Sequence, residues 1–423
     1  MGCTSSLLQG GGGRRRKMAI SAVVVFVPAL LIPVPSDLHK GLKGLVPKDL
    51  LDRLIALRNR IILLSEDTDV DDSAIPEIKQ ALEEYLPVLL ALTQKECSAQ
   101  ASAQFKWRYL DDGRQETCVL SSWFEVLCIL YTLAVLTLIE ANMLLIPKQY
   151  AGSSDRIVST DCQRDAVDFL LKASGYLDFC VKNVLPHLAA EIKNKLPKDL
   201  HEGTLEALSL QALGQGTELQ LGLAIENQKA TLSVKRRLAC EQLTYFTQAH
   251  YALCGEKTNE GDYGKQLLFI RHKFLEAKAA AYFYHGLILD KSNEPFSHMN
   301  AICCLRAAED LLLESKKACL AFCLAVPITR APPLWGTMKH FHQKIPDTAS
   351  KKFQMYGCLL DQEKGLQPPP ELPEFQLSLR ADDYELPAVD PAFKRENQDT
   401  LRQPLKVHLE DMEDEIEAET QEC

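Results

Sequence analysis

Apolar residues recur at helical spacing along most of this chain. Leu51, Leu54, Ile55, Leu57, Ile61 and Ile62 share a face after Pro47-Lys48-Asp49-Leu50, where a proline in the first turn suits a helix start. The acidic run 66–72 ends that helix. A second opens near Pro76 and carries Ile78, Leu82, Leu86 and Leu89. From about 117 to 325 the pattern predicts a succession of long helices, broken at 147–154, 197–203, near Asn227, at 255–264 and at 291–295. Long helices with short connections pack as antiparallel neighbours. Their similar lengths without a strict sequence period point to a solenoid of helix pairs.

Two stretches read as strands instead: Val23-Val24-Val25-Phe26-Val27, and the alternating Phe105-Lys106-Trp107-Arg108-Tyr109-Leu110. Beyond Ala325 prolines multiply, and Pro368-Pro369-Pro370 with Pro373 predicts an extended strap. Residues from 395 onward read as disordered or weakly helical. No linker divides the middle, which gives a basic N-terminal segment 1–17, one elongated domain 18–394 and an acidic tail 395–423.

Two apolar stretches bear on membranes. Residues 18–35 are interrupted by Pro28, Pro33 and Pro35, unlike a secretory leader. Residues 126–139 lie between Glu125 and Glu140 and are too few for a spanning helix, which predicts a buried one. No transmembrane segment is expected.

Charge and cysteine usage narrow the class. A net charge of −10 argues against general nucleic-acid binding. The charge is uneven: residues 1–60 hold ten Lys/Arg and three Asp/Glu, while 410–423 carry eight acids and no base. The fourteen cysteines are scattered, and Cys128, Cys180, Cys240 and Cys319 fall in apolar helical stretches, as buried reduced thiols do. Met1-Gly2-Cys3-Thr4-Ser5-Ser6 fits the N-myristoylation pattern on Gly2, and Cys3 offers a thiol for a second acyl chain. Arg14, Arg15, Arg16 and Lys17 add attraction to an anionic leaflet across the glycine spacer 10–13. One myristoyl chain binds membranes marginally, so these features act together. They predict a lipid-anchored peripheral protein on the cytoplasmic face of the plasma membrane or an endosome.

Catalytic patterns are missing. The chain has no Gly-x-x-x-x-Gly-Lys-Ser/Thr loop, no Gly-x-Ser-x-Gly elbow and no His-Glu-x-x-His. Gly214-Gln215-Gly216 lies within a helical pattern and reads as a close-packing site. His340-Phe341-His342 reads as exposed loop, and neither Cys303-Cys304 nor Cys319/Cys323 has histidines at zinc-site spacing. The expectation is a non-enzymatic protein without metal or cofactor.

Five stretches together resemble the Bro domain family of the Alix, Brox and rhophilin type. They are F-K-W-R-Y-L-D-D with S-S-W-F-E-V-L-C-I-L-Y-T-L-A (105–112 and 121–134), D-A-V-D-F-L-L-K-A-S-G-Y-L-D-F (165–179), L-S-L-Q-A-L-G-Q-G-T-E (208–218), K-A-T-L-S-V-K-R-R-L-A-C-E-Q-L-T-Y-F (229–246) and K-F-L-E-A-K-A-A-A-Y-F-Y-H-G (273–286). The resemblance spans roughly 20–390. It implies an all-α, banana-shaped domain with a tetratricopeptide-like helical solenoid core and a small N-terminal sheet.

It also implies an adaptor that takes the C-terminal helix of an ESCRT-III filament subunit in an apolar groove, for endosomal sorting or membrane remodelling. Matching the family's groove helices points to Val234 and Leu238, with Leu219 and Leu223 on the preceding helix. Thr132 stands where the family often has asparagine, Leu223 where Alix-like members have a basic residue, and the expected Asn-Asp-x-Ile-Tyr strap is missing, with Pro332-Pro333-Leu334-Trp335 in its vicinity. These departures keep open a second expectation, a plasma-membrane signalling scaffold that has lost filament-subunit binding. Oligomeric state is not legible in the sequence.

Overall fold

The computed structural model describes residues 24–66, 74–94, 102–110, 116–146, 148–149, 156–255, 264–292, 294–326, 339–362 and 367–391. Gly2, Cys3, the basic run 14–17, the segment around Trp335 and the acidic tail lie outside them.

A three-stranded antiparallel sheet opens the fold, in the order β1 (Leu31–Val34), β2 (Gln104–Tyr109), β3 (Glu116–Leu120). Alternation along β2 buries Phe105 and Trp107, and Val119 of β3 pairs with Phe105. The first strand begins later than the valine run indicates. At 24–27 the backbone is bonded by helix side chains instead: Val25 N–H donates to Asn142 Oδ1 (3.1 Å) and Phe26 N–H to Gln215 Oε1 (3.4 Å). Bonds of this kind remove the need for a strand partner.

Helices α1 (Leu38–Leu42), α2 (Lys48–Glu66) and α3 (Ala74–Leu89) pack behind the sheet. Then α4 (Ser122–Leu144) starts at Ser121, whose hydroxyl accepts from Phe124 N–H. Apolar on all sides, α4 is long and apolar enough to cross a membrane, yet 89% of its most apolar 18-residue window is buried inside the protein. It is the central core helix. Thr132 is buried in it and donates to Leu31 O (3.1 Å) and Cys128 O (2.8 Å), tying β1 to α4.

A two-residue hairpin, β4 (Lys148–Gln149) with β5 (Arg156–Ile157), precedes α5 (Thr160–Phe179). The break that follows is longer than the sequence pattern indicates. It starts at a wide turn, Cys180–Val184, continues through a 3-10 turn at Leu185–His187 and includes the short α6 (Ala190–Lys193). Pro186 and Pro197 lack the N–H groups a continuous helix needs there.

Five long helices complete the fold: α7 (Glu202–Glu226), α8 (Leu232–Gly255), α9 (Gly264–Leu289), α10 (Pro295–Leu324) and α11 (Lys339–Gln362). Each packs on the next, and α5 packs on both α4 and α7, so the helices form a continuous solenoid. Close approach is built into the sequence. A Cβ at Gly214 would lie 3.0 Å from the Phe246 ring, and α9 presents Ala277, Ala279, Ala280 and Ala281 to its neighbours. The last helix is a departure from the sequence reading, which places a loop there. It carries Pro346 within it and departs from helical geometry at Tyr356.

Residues 367–391 form the extended strap that the prolines predict. Leu372 and Phe375 join the apolar cluster at α8–α10, and Asp382 N–H donates to Leu171 O (3.2 Å) on α5. The strap ends where Asp390 N–H donates to Pro87 O (3.2 Å) and its carboxylate meets Arg53 (2.6 Å). It thus runs back across the solenoid. Every cysteine with a described side chain is a free thiol, and Cys128, Cys180, Cys240, Cys303, Cys304 and Cys319 are buried.

Candidate partner-binding face

The first two turns of α8 carry the surface that the sequence singles out. Thr231 caps the helix, its hydroxyl accepting from Val234 N–H (3.3 Å). Val234 is 46% exposed. Leu238, one turn on, is half-buried against a cluster that includes Leu232, Ile225, Leu372 and Phe375. Leu219 takes no part: it is 3% exposed and fills the large front core, because the face of α7 that bears it turns toward that core. Leu223, a turn later, is half-buried. The structure therefore brings Val234 and Leu238 to the surface and removes Leu219 from it.

The same stripe of α8 continues to Glu241 and Tyr245. Here the strap crosses. Ser378 N–H donates to the Glu241 carboxylate (3.1 Å), and the Ser378 hydroxyl donates to it as well. Arg237 Nε pairs with Glu241 Oε1 (2.8 Å), and the Tyr245 hydroxyl donates to Leu379 O. On the other side Arg236 lies over the Phe375 ring at 5.7 Å and donates from Nη1 to His285 Nδ1 (3.1 Å). Burial, then the neighbouring guanidinium, hold His285 below its ordinary pKa, so it stays neutral and able to accept. Burial and the nearby Glu241 push Tyr245 up to about 12, which keeps its donor proton in place.

An apolar spot results, bounded by the strap, with Lys229, Lys235 and Arg237 near it in the chain and Arg236 turned to the other side of α8. Strap residues Leu372, Phe375, Ser378 and Leu379 were not singled out as part of this site. A signal for them exists: from Phe375 to Arg380 apolar and polar residues alternate, and half-buried and exposed positions alternate with them.

A buried ionic cluster draws on two of the stretches that carry the family resemblance, 208–218 and 273–286, although neither period nor spacing marks its members as a cluster. Lys273 Nζ lies 2.9 Å from Glu218 Oε1 and 3.0 Å from Glu276 Oε2, with His272 Nε2 3.5 Å from Glu276. Burial opposes the Lys273 charge, but the two carboxylates outweigh it and raise its pKa. Burial, with the Lys273 charge assisting, takes His272 down to about 3, so it is neutral. His340 and His342 are half-buried on α11 rather than in an exposed loop, and burial lowers the pKa of both. Among the described residues no group of three or more His, Cys, Asp or Glu is placed to hold a metal.

Comparison with known proteins places this geometry. In sequence the chain matches no curated protein. Three solved structures share its fold, each at 16% identity. A crystal structure of ALIX with the SIVmac239 PYKEVTEDL late domain superposes with a TM-score of 0.60, covering 87% of this chain and 50% of that one. A Bro1 domain structure described as a basis for endosomal targeting gives 0.56, covering 90% and 96%. The complex of the ALIX BRO1 domain with CHMP4C gives 0.58, covering 87% and 98%. The chain thus spans half the length of the first relative and nearly all of the other two. The profile of the BRO1-like domain matches residues 47–352. The chain belongs to the BRO1-like domain family.

Proposed function

We propose that this chain is a membrane-anchored, non-enzymatic BRO1-domain adaptor that takes the C-terminal helix of an ESCRT-III filament subunit on the start of α8. The observation that carries the reading is the exposed Val234 beside half-buried Leu238, with the basic residues Lys229, Lys235 and Arg237 near them in the chain. An amphipathic helix with acidic flanks fits such a surface: its apolar face covers the valine and leucine, and its acids meet the basic residues. That the ALIX BRO1 domain forms a complex with CHMP4C supports this assignment. Gly2, Cys3 and the run Arg14–Lys17 would hold the domain at the membrane where such filaments assemble. One observation favours the second reading, a signalling scaffold: with Leu219 in the core, the apolar spot is short.

Val234→Asp and Leu238→Asp separate the readings. A carboxylate under a docked apolar face is desolvated without a partner, costing several kcal/mol, about a hundredfold or more in Kd. Val234→Asp should leave melting within about 0.5 kcal/mol of wild type, since the position is a surface one. The measurement is calorimetry with filament-subunit tail peptides on the full chain. Binding by wild type and its loss in both variants supports the adaptor. A wild type that binds none at high micromolar concentration hands the function to the scaffold.

A further inference from the structure

The strap crosses α8 at Glu241 and Tyr245, on the side that also bears Val234 and Leu238. Half a turn away, Thr247, His250 and Tyr251 face the opposite side. There α8 and α9 leave a cavity of about 700 Å³, walled by Leu267, Leu268, Phe274 and Leu275 of α9 with His250 and Tyr251 of α8. A second cavity of about 380 Å³ shares Leu268, Arg271 and Leu275 and is closed by Ala318 and Ala321 of α10. The larger volume lies in the range of small-molecule sites, about 300–1,000 Å³. Its apolar wall and few polar groups suit a saturated chain better than a polar ligand.

The path of the polypeptide says which chain. Val24 packs with Phe269, Cys319 and Phe322, and Leu268, a wall of both cavities, packs against the same cluster. The Phe26 ring lies 5.1 Å from that of Phe269. The segment carrying Gly2 therefore joins the fold beside the cavity. Twenty-one residues lie between Gly2 and Val24, a reach of up to about 70 Å. Attachment at such range gives an effective concentration near the millimolar scale.

We propose that this cavity takes the myristoyl chain of Gly2 when the protein is off the membrane. The inference rests on the acylation proposed above. A lone myristoyl chain binds bilayers only on the order of 10⁴ M⁻¹, so a modest intramolecular site competes with the bilayer for it. Acylation of Cys3 shifts the balance to the membrane, because two chains do not fit the exchange of one. The retracted form is soluble and the released form anchored.

The test uses the full chain, co-expressed with N-myristoyltransferase, against Gly2→Ala. Without vesicles, hydrogen exchange in the first half of α9 should slow at least tenfold in the acylated protein relative to Gly2→Ala. Leu267→Trp, which projects an indole ring into the cavity and obstructs it, should erase that difference and raise the vesicle-bound fraction several-fold. Equal α9 exchange in acylated and Gly2→Ala proteins overturns the proposal, whether or not the Trp variant folds. Free myristate added to Gly2→Ala distinguishes the sources: protection by it alone, and none by the attached chain, assigns the cavity to a free fatty acid and also overturns the proposal. A chain that resists myristoylation ends the anchor reading and this one together. An acylated chain that binds vesicles with unchanged α9 exchange ends this one only.

Discussion

Two buried charge centres, one beside the sheet in the front half and one between α7 and α9 in the back half, are built to opposite specifications. In the front half Arg58 is 2% exposed and bonded through each of its three nitrogens. Its Nε donates to Glu125 Oε1 (2.9 Å), its Nη1 to Val34 O (2.7 Å) and its Nη2 to Lys106 O (2.9 Å). Glu125 also accepts from the Tyr85 hydroxyl and Trp107 Nε1. One fork thereby joins α2, α3, α4 and two strands. In the back half one ammonium, Lys273, serves two carboxylates, and Glu218 Oε2 has no hydrogen-bond partner. The front centre is saturated and set in one large continuous core, whereas the back is divided among three smaller clusters and carries the cavities and the α8 face. A locked front end holding a less saturated, surface-rich solenoid is the architecture of a presenting scaffold.

The sharpest way to break that contrast is Glu125→Leu. It strands a guanidinium that cannot shed its proton, so the cost should be about 3–5 kcal/mol, enough to prevent recovery of folded protein. Circular dichroism and thermal melting read it directly. Near-wild-type melting would mean the front centre is not the lock.

Lys273→Met should cost less, about 3 kcal/mol at pH 8, because carboxylates can neutralise themselves. Burial already raises the Glu218 and Glu276 pKa values above 4.5, and Lys273 is the charge that lowers them. Removing it raises them further. A carboxyl whose folded pKa exceeds its unfolded one stabilises below the unfolded value and loses that stability as pH rises through the folded value. The variant's deficit should therefore shrink as pH falls from 8 toward 5, by up to about 1.4 kcal/mol per unit for each proton taken up. Chemical denaturation across pH checks the slope, and a pH-independent deficit refutes the neutralisation argument.

The front centre was half legible in the sequence; the members of the back centre fall in quoted stretches, but their meeting was not legible. Phe105-x-Trp107 and the Phe124-Glu125 helix start stood out as a pattern, since β2 alternates and α4 is apolar between its two acids, Glu125 and Glu140. Lys273, Glu218 and Glu276 lie on helices apolar nearly all round, where a charged residue has no distinguishing period. The helical solenoid, the strap and the buried 126–139 stretch follow from period and proline content. The first strand, the break after Phe179 and α11 do not. Side-chain bonds from Asn142 and Gln215 decided the first, and α11 tolerates a proline that local rules count against it. Leu219 went astray for a related reason: apolar period marks a buried face without saying whether core or partner buries it.

The smallest expected effects come from two glycines under the strap, and they ask whether the strap belongs to the locked half or the presenting half. A Cβ at Gly175 would stand 2.4 Å from the Asp382 carbonyl oxygen, and backbone cannot turn aside as a side chain can. At Gly216 the obstacle is Leu379 Cδ1 at 3.2 Å, the end of a flexible side chain. Gly175→Ala should cost about 1–3 kcal/mol and push the strap off α5, where Tyr384 packs on Tyr176 and Phe179. Gly216→Ala should cost under about 1 kcal/mol, because only a rotamer must change. Limited proteolysis within 367–391 follows displacement, and calorimetry with a partner helix follows its consequence at Ser378 and Glu241. If the strap completes the α8 face, Gly175→Ala weakens partner binding along with strap protection, although it touches neither Val234 nor Leu238. If the strap only braces the fold, cleavage accelerates and binding holds, and the partner surface ends at the first two turns of α8.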